Sequence, residues 1–303
     1  MWQNLKVWLF RKYYRAVNAL AWRGHTGEHA WVAVEIPGGD SGPLHARLYQ
    51  QHTTPDKPVI VYFHGGGWVI GDLQTHSPFC EMLNRHTHCS VIAVNYRLAP
   101  EHPFPAAPQD CLHATQWIAQ HVGDFGPSSH QLILAGDSAG AHLATVTCLA
   151  ADVTLREKLL AQWLIYPAVV HYSADFASYR EKAKARPLTT DIMMWFWDTW
   201  LAGLSPRSEQ LAIAQPLLSS HLATLPATFV VTAEHDPLRD EGRAYAEKLK
   251  SAGVNLVYRH FEHAAHGFAC SEGPTEDVRV LMSDVNSWIE SLQAGDTGAT
   301  TLL

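Results

Sequence analysis

Ser138 stands in the stretch Gly136-Asp137-Ser138-Ala139-Gly140, between the apolar run 131–135 and a segment, 141–146, that reads as a helix. A strand that becomes a helix within so few residues leaves no room for flanking side chains. Glycine at 136 and 140 supplies that room, and the serine is pushed to the tip of the turn. The pattern G-x-S-x-G thus occurs in the strand–turn–helix context that an exposed nucleophilic serine needs. The following helix directs backbone N–H groups and its positive end toward negative charge developing beside Ser138. A plain Gly-rich connection would show the same letters, so partners elsewhere in the chain must distinguish the two.

Serine is a weak nucleophile and needs a histidine as base, itself oriented by a carboxylate. The strand 228–232 leads into Glu234-His235-Asp236-Pro237-Leu238-Arg239-Asp240, and the strand 256–261 into Glu262-His263-Ala264-Ala265-His266-Gly267-Phe268. Asp236 sits just past a strand end, with Pro237 stopping the strand. Glu234 is nearer the strand, and Asp240 already falls on the next helix. His260 lies within a strand and His263 partway into a loop, whereas His266 precedes a glycine that lets the backbone turn sharply. The spacing His260-x-x-His263-x-x-His266 also suits metal ligands, but no carboxylate or cysteine pattern completes a site, and no metal is expected. The order serine, acid, histidine is that of α/β-hydrolases.

A tetrahedral intermediate also needs backbone N–H donors fixed in advance. Ala139, next to the serine, offers one. The loop His64-Gly65-Gly66-Gly67-Trp68 is suited to offer the others, because consecutive glycines let a backbone approach a carbonyl oxygen closely. A phosphate cradle would require a following Gly-Lys-Ser/Thr, which is absent.

The elements that must position these groups follow from periodicity. Segments 29–36 and 44–50 flank a Pro/Gly-rich turn and read as an antiparallel hairpin. Beyond them, strands at 59–64, 91–95, 132–135, 162–166, 228–232 and 256–261 alternate with helices at 78–85, 106–121, 138–151, 241–251 and 278–292, with Ser77 as the expected N-cap of the first. This alternation implies an α/β fold with a mostly parallel central sheet covered on both faces, the hairpin at one edge. Residues 170–220 are far longer than a crossover and carry Met193, Met194, Trp195, Phe196, Trp197 and Trp200, so they read as a helical cap. The organisation expected is an N-terminal cap helix region at 1–28, a catalytic domain at 29–292 with the cap insertion inside it, and a disordered tail at 293–303.

With 303 residues, 47% of them hydrophobic, the chain can bury a large single core. A net charge of −7 and no basic stripe exclude nucleic acid as a partner. The five cysteines are scattered, odd in number and without a C-x-x-C pair, which fits reduced thiols in a cytoplasmic protein. In the N-terminal segment 2–22, Leu5, Leu9, Tyr13, Val17 and Leu20 recur at helical spacing and are expected to pack on the body. The alternative is a basic, Trp-rich helix lying on a membrane, which its modest charge does not favour. Oligomeric state is not legible.

Taken together, HGGGW at 64–68, GDSAG at 136–140, the stretch Asn95–Ala107, Asp236-Pro237-Leu238-Arg239-Asp240-Glu241-Gly242 and His266-Gly267-Phe268 resemble the hormone-sensitive-lipase-like carboxylesterases, with every block in order between about 30 and 290. The resemblance implies that Ser138, Asp236 and His266 act together. It also implies that Gly66, Gly67 and Ala139 donate to the oxyanion while Gly65 shapes the turn. Cofactor-free hydrolysis of short- to medium-chain acyl esters is the activity implied, with Trp68, Met193 and Trp197 expected against the substrate. An amidase or peptidase on the same fold, and a receptor-like binder that lacks catalysis, are the alternatives. The complete Ser138–Asp236–His266 set disfavours the binder. Ala141 departs from a glycine frequent in the family, Ser77 from an acid, and His235 is an unusual neighbour; none removes a reacting group. Arg97 and Glu101 are expected to buttress loops rather than touch substrate.

Overall fold

The computed structural model describes residues 2–24, 31–40, 42–125, 130–204, 210–295 and 301–302. Its strands are β1 (Trp31–Ile36), β2 (Leu44–Tyr49), β3 (Val59–Phe63), β4 (Ser90–Asn95), β5 (Leu132–Asp137), β6 (Leu159–Ile165), β7 (Ala227–His235), β8 (Leu256–Ala265) and the two-residue β9 (Thr301–Leu302). They form one sheet in the order β1-β2-β4-β3-β5-β6-β7-β8-β9. From β3 to β9 all pairings are parallel, and β1 and β2 add antiparallel at the β4 edge. The first two residues of the expected opening strand and most of the expected tail lie outside the described residues.

The helices are α1 (Trp2–Ala21), α2 (Ser77–Thr87), α3 (Ala106–Gln120), α4 (Ala139–Ala150), α5 (Val153–Arg156), α6 (Ala177–Glu181), α7 (Thr190–Trp200), α8 (Gln210–Ile213), α9 (Arg239–Ser251), α10 (Phe268–Ser271) and α11 (Glu276–Gln293). Side chains alternate across each parallel strand. In β3, Val59, Val61 and Phe63 enter the layer that holds Ile118, Leu143 and Leu249 of α3, α4 and α9. Ile60 and Tyr62 enter the opposite layer with Leu83 and Leu281 of α2 and α11. Strands buried on both faces read as continuous apolar runs, which is why they were legible.

Several boundaries differ from the sequence reading. β8 continues through His263, placing that residue on a strand, because the ladder with β7 resumes at His235–Ala265 after a register shift. Ser77 is the first helical residue rather than the N-cap, which is His76; the buried Ser77 Oγ accepts the Tyr49 hydroxyl at 2.9 Å.

The larger difference is the rotation of α1. Leu5, Leu9, Tyr13, Val17 and Leu20, expected against the body, face solvent. Val7, Phe10, Tyr14, Asn18 and Trp22 take the inward face instead. The helix has two apolar faces, and hydrogen bonding decides between them. The Arg11 guanidinium donates to the Val69 carbonyl at 2.8 Å and pairs with Glu101, while Trp22 Nε1 donates to the Cys270 carbonyl at 2.7 Å.

Two imidazoles are locked inside. His142 on α4 donates from Nε2 to the Ala214 carbonyl at 2.9 Å and accepts Trp68 Nε1 at 3.3 Å, tying the insertion to the core. His64 stacks on Tyr96 with ring centres 4.3 Å apart. Burial pushes both down to about 4, helped at His64 by neighbouring His76. Their pKa is lowered on folding, so below the ordinary histidine value the unfolded chain binds more protons than the native one, and acid favours unfolding. Together they cost about 2 kcal/mol of stability per unit as pH drops from about 6 to 5, and the Glu241 carboxyl, pushed up to about 8 by burial, offsets about half of that because the native state already holds its proton. In urea titrations, His142→Gln should therefore lose about 1 kcal/mol per unit less stability than the wild type over this interval. Equal pH slopes for the two proteins would contradict the burial of a neutral imidazole at 142.

Candidate active site

Ser138 occupies φ 54°, ψ −119°, a conformation that a side-chain-bearing residue adopts only when its surroundings impose it. Here the imposition comes from both sides. Ser138 N donates to the Ile165 carbonyl at 2.8 Å, and α4 begins at the next residue. A Cβ on Gly140 would collide with the Phe63 carbonyl, so no other residue lets α4 approach β3 this closely.

His266 lies where β8 ends, and Gly267, at φ 83°, turns the chain immediately after it. Its Nε2 is 2.9 Å from Ser138 Oγ, and its Nδ1 is 2.8 Å from Asp236 Oδ2. Asp236 is fully buried, and its other oxygen accepts the Leu238 amide at 2.8 Å. With the Nδ1 proton donated to this carboxylate, Nε2 is the acceptor left for the serine hydroxyl.

The rejected candidates are used elsewhere. Glu234 accepts Lys182 Nζ at 2.7 Å and Arg239 at 2.9 Å, joining the insertion to β7. Burial would raise its pKa, but these two cations outweigh it and bring the carboxyl down to about 2. His260 faces Glu234 across 3.3 Å, Asp240 accepts the Ser178 amide, and His263 is exposed. Arg97 pairs with Asp110 at 2.7 Å and Glu101 with Arg11, and neither lines the cavity beside Ser138.

The glycine loop follows β3. Gly66 and Gly67 take φ 118° and 57°, and a Cβ at Gly67 would strike the Phe196 ring. Both line the cavity that contains Ser138 and His266. Ala139 opens α4, where the first N–H groups have no carbonyl partner within the helix.

Asp137 ties this loop to the serine turn. Its Oδ1 accepts the Gly65 amide at 2.8 Å and the Tyr62 hydroxyl at 2.7 Å, with His76 Nε2 at 3.3 Å. Burial favours the neutral acid, but His76, Tyr62 and the Gly65 amide together hold the carboxyl below the usual carboxylate range. His76, Asp137 and Cys270 form the one group of metal-capable side chains found among the described residues, all buried, with donor atoms within 4.8 Å. Burial holds the Cys270 thiol well above its ordinary pKa, and Asp137 is already engaged, so the group serves as hydrogen-bonded support. Sequence reasoning missed Tyr62 and His76. The available signal was a phenol in an otherwise wholly apolar strand and a histidine at a helix start.

The cavity encloses about 450 Å³. α1 contributes Phe10, Tyr13, Tyr14 and Val17, and the insertion contributes Leu188, Ile192, Met193 and Phe196. Of the three side chains expected against substrate, only Met193 lines it. Trp68 and Trp197 are fully buried behind the wall, where Trp68 stacks on Trp200 with centres 4.2 Å apart and lies 4.5 Å from Trp197. A helix apolar on nearly every face does not reveal which stripe meets the cavity.

A family model described as the alpha/beta hydrolase fold matches residues 60–270. The chain is 37% identical to the esterase LipI of Mycobacterium tuberculosis, over 76% of this chain and 72% of that one. It is also 37% identical to the carboxylesterase NlhH of the same organism, over 73% and 70%. A hyperthermophilic esterase from the archaeon Pyrobaculum calidifontis superposes with a TM-score of 0.87 at 34% identity, covering 96% of this chain and 92% of that one. The chain belongs to the hormone-sensitive-lipase-like carboxylesterases of the α/β-hydrolase fold and is a carboxylic ester hydrolase.

Replacing Asp137 by Asn removes the charge that faces His76 and weakens the clamp on Gly65. Misplacing reacting groups by about 1 Å costs on the order of 10²-fold. Asp137→Asn should therefore lower kcat by about 10–100-fold with little change in KM for a small ester. Steady-state kinetics measure this split, and an unchanged kcat would show that the clamp is not needed.

Proposed function

From its place in that family, we propose that this chain hydrolyses short- to medium-chain acyl esters through an acyl-enzyme on Ser138. The observation that carries the reading is the continuous hydrogen-bonded chain from Ser138 Oγ through His266 to Asp236.

In the first half-reaction, Ser138 Oγ attacks the ester carbonyl carbon while His266 Nε2 takes its proton. The carbonyl π pair moves onto oxygen, and that oxyanion is received by the N–H groups of Gly66, Gly67 and Ala139. Gly65 holds the turn through its bond to Asp137. Collapse breaks the bond to the alkoxy group, which leaves as alcohol with the proton from His266. A water, deprotonated by His266, then attacks the acyl carbon, and collapse returns the proton to Ser138 Oγ as the acid departs. Asp236 stabilises the imidazolium in both halves. Every step uses groups of this chain, the ester and water, so the reading requires no cofactor.

Phe196, Met193 and Leu188 wall the cavity, and a volume of about 450 Å³ lies at the small end of ligand sites. This supports short to medium acyl chains. The five single, buried thiols support a cytoplasmic location. No described helix is long and apolar enough to cross a membrane.

Ser138→Ala should reduce hydrolysis of p-nitrophenyl butyrate by at least about 10³-fold while leaving thermal stability intact. Across acyl chains from two to sixteen carbons, kcat/KM should peak at short or intermediate length. Normal turnover by Ser138→Ala, or the best activity on the longest chains, would refute the corresponding part of the proposal.

A further inference from the structure

The outward face of α1 is the most apolar exposed surface described. Leu5, Trp8, Leu9, Tyr13 and Leu20 are between 48% and 70% exposed, and their spacing places them on one side of the helix. An apolar patch of this extent marks an interaction surface. We propose that this face docks the enzyme on an anionic lipid surface, in addition to the helix's inward contacts with the cavity.

The charge on α1 is modest, but with its apolar face exposed the sign of that charge selects the occupant. α1 carries no acidic residue, and Lys6, Lys12 and Arg23 are exposed along it or just beyond it, on a chain whose net charge is −7. Arg11 is engaged inward with Glu101, Arg15 with Asp72, and Lys6, though exposed, lies over the Trp195 ring at 4.9 Å, which leaves Lys12 and Arg23 as the cations turned toward a docking surface. Leucines with Trp8 and Tyr13, with Lys12 among them and lying over the Trp8 ring at 5.7 Å, match the composition that lies in a membrane interface. A second copy fits less well, because a two-fold contact would set this basic helix against itself. Position supplies a further argument. Tyr13 and Val17 belong to the outward face and also line the cavity beside Ser138, so a surface bound there meets the cavity mouth.

The proposal goes beyond ester hydrolysis and does not depend on it. Its test is co-sedimentation of the full chain with phosphatidylcholine vesicles, with and without phosphatidylglycerol. The chain should sediment with the anionic vesicles and only weakly with the neutral ones. Leu5→Ser/Leu9→Ser/Leu20→Ser should weaken that binding by about tenfold or more. Lys12→Glu/Arg23→Glu should abolish the anionic preference by a similar factor. Both variants should keep the wild-type melting temperature and turnover of a water-soluble ester. Three results would each overturn the proposal: no sedimentation of the wild type with anionic vesicles, undiminished binding by the leucine variant, or a wild-type dimer that the leucine variant dissociates while neither form binds vesicles. Ser138→Ala should bind vesicles like the wild type, which separates this outcome from any failure of the hydrolytic reading.

Discussion

One buried carboxylate, that of Asp137, joins the two loops between which an ester carbonyl would sit. It precedes the strained serine and accepts the amide of Gly65 at 2.8 Å, so the serine turn and the glycine loop cannot move independently. A buried charge is tolerated only when paired and hydrogen-bonded, because its desolvation otherwise costs several kcal/mol. The Tyr62 hydroxyl, from the opposite layer of the sheet, and the Gly65 amide supply the hydrogen bonds, with His76 Nε2 3.3 Å away. The arrangement therefore depends on the parallel sheet. β3 delivers Tyr62 and the glycine loop, β5 delivers Asp137 and Ser138, and their direct pairing sets the distance between them. Preorganised donors of this kind act at no reorganisation cost when charge develops.

The covering elements are fixed to this frame by a few directional contacts. His142 holds the insertion through the Ala214 carbonyl, and Glu234 holds it through Lys182. On the other side Arg11 reaches the Val69 carbonyl just beyond the glycine loop, so α1 is referenced to the same loop that would bind the oxyanion. The cavity wall is thus assembled from two distant parts of the chain, with Phe10 stacked on Phe196 at 5.9 Å where they meet.

The sheet and the hydrogen-bonded set Ser138, His266 and Asp236 were legible because local rules specify their places. A strand-to-helix turn demands glycine at 136 and 140, and strands buried on both faces show as apolar runs whatever their neighbours. Asp236 and His266 could be picked from Glu234, Asp240, His260 and His263 by their position relative to strand ends. What was not legible depends on long-range choices. α1 offers two apolar faces of the same period, and only the partners of Arg11 and Trp22, far away in sequence, select between them. Trp68 and Trp197 have the size and apolarity of pocket residues, yet both pack against Trp200, Trp68 stacked and Trp197 tilted, and lie behind the wall. The support given by Tyr62 and His76 was hidden for the same reason, since it exists only once β3, β5 and α2 are assembled.

In the proposed reaction Ser138 carries the acyl group, and the oxyanion of each tetrahedral intermediate is received by amides from the two clamped loops. The most direct measurement is a crystal structure of the enzyme inactivated by a p-nitrophenyl alkylphosphonate, which mimics the tetrahedral intermediate. The account predicts phosphorus bonded to Ser138 Oγ, with one phosphonate oxygen about 2.7–3.1 Å from the amides of Gly66, Gly67 and Ala139 and His266 still bonded to Asp236. A phosphonate on another residue, or one on Ser138 whose oxygen points away from those three amides, would contradict it.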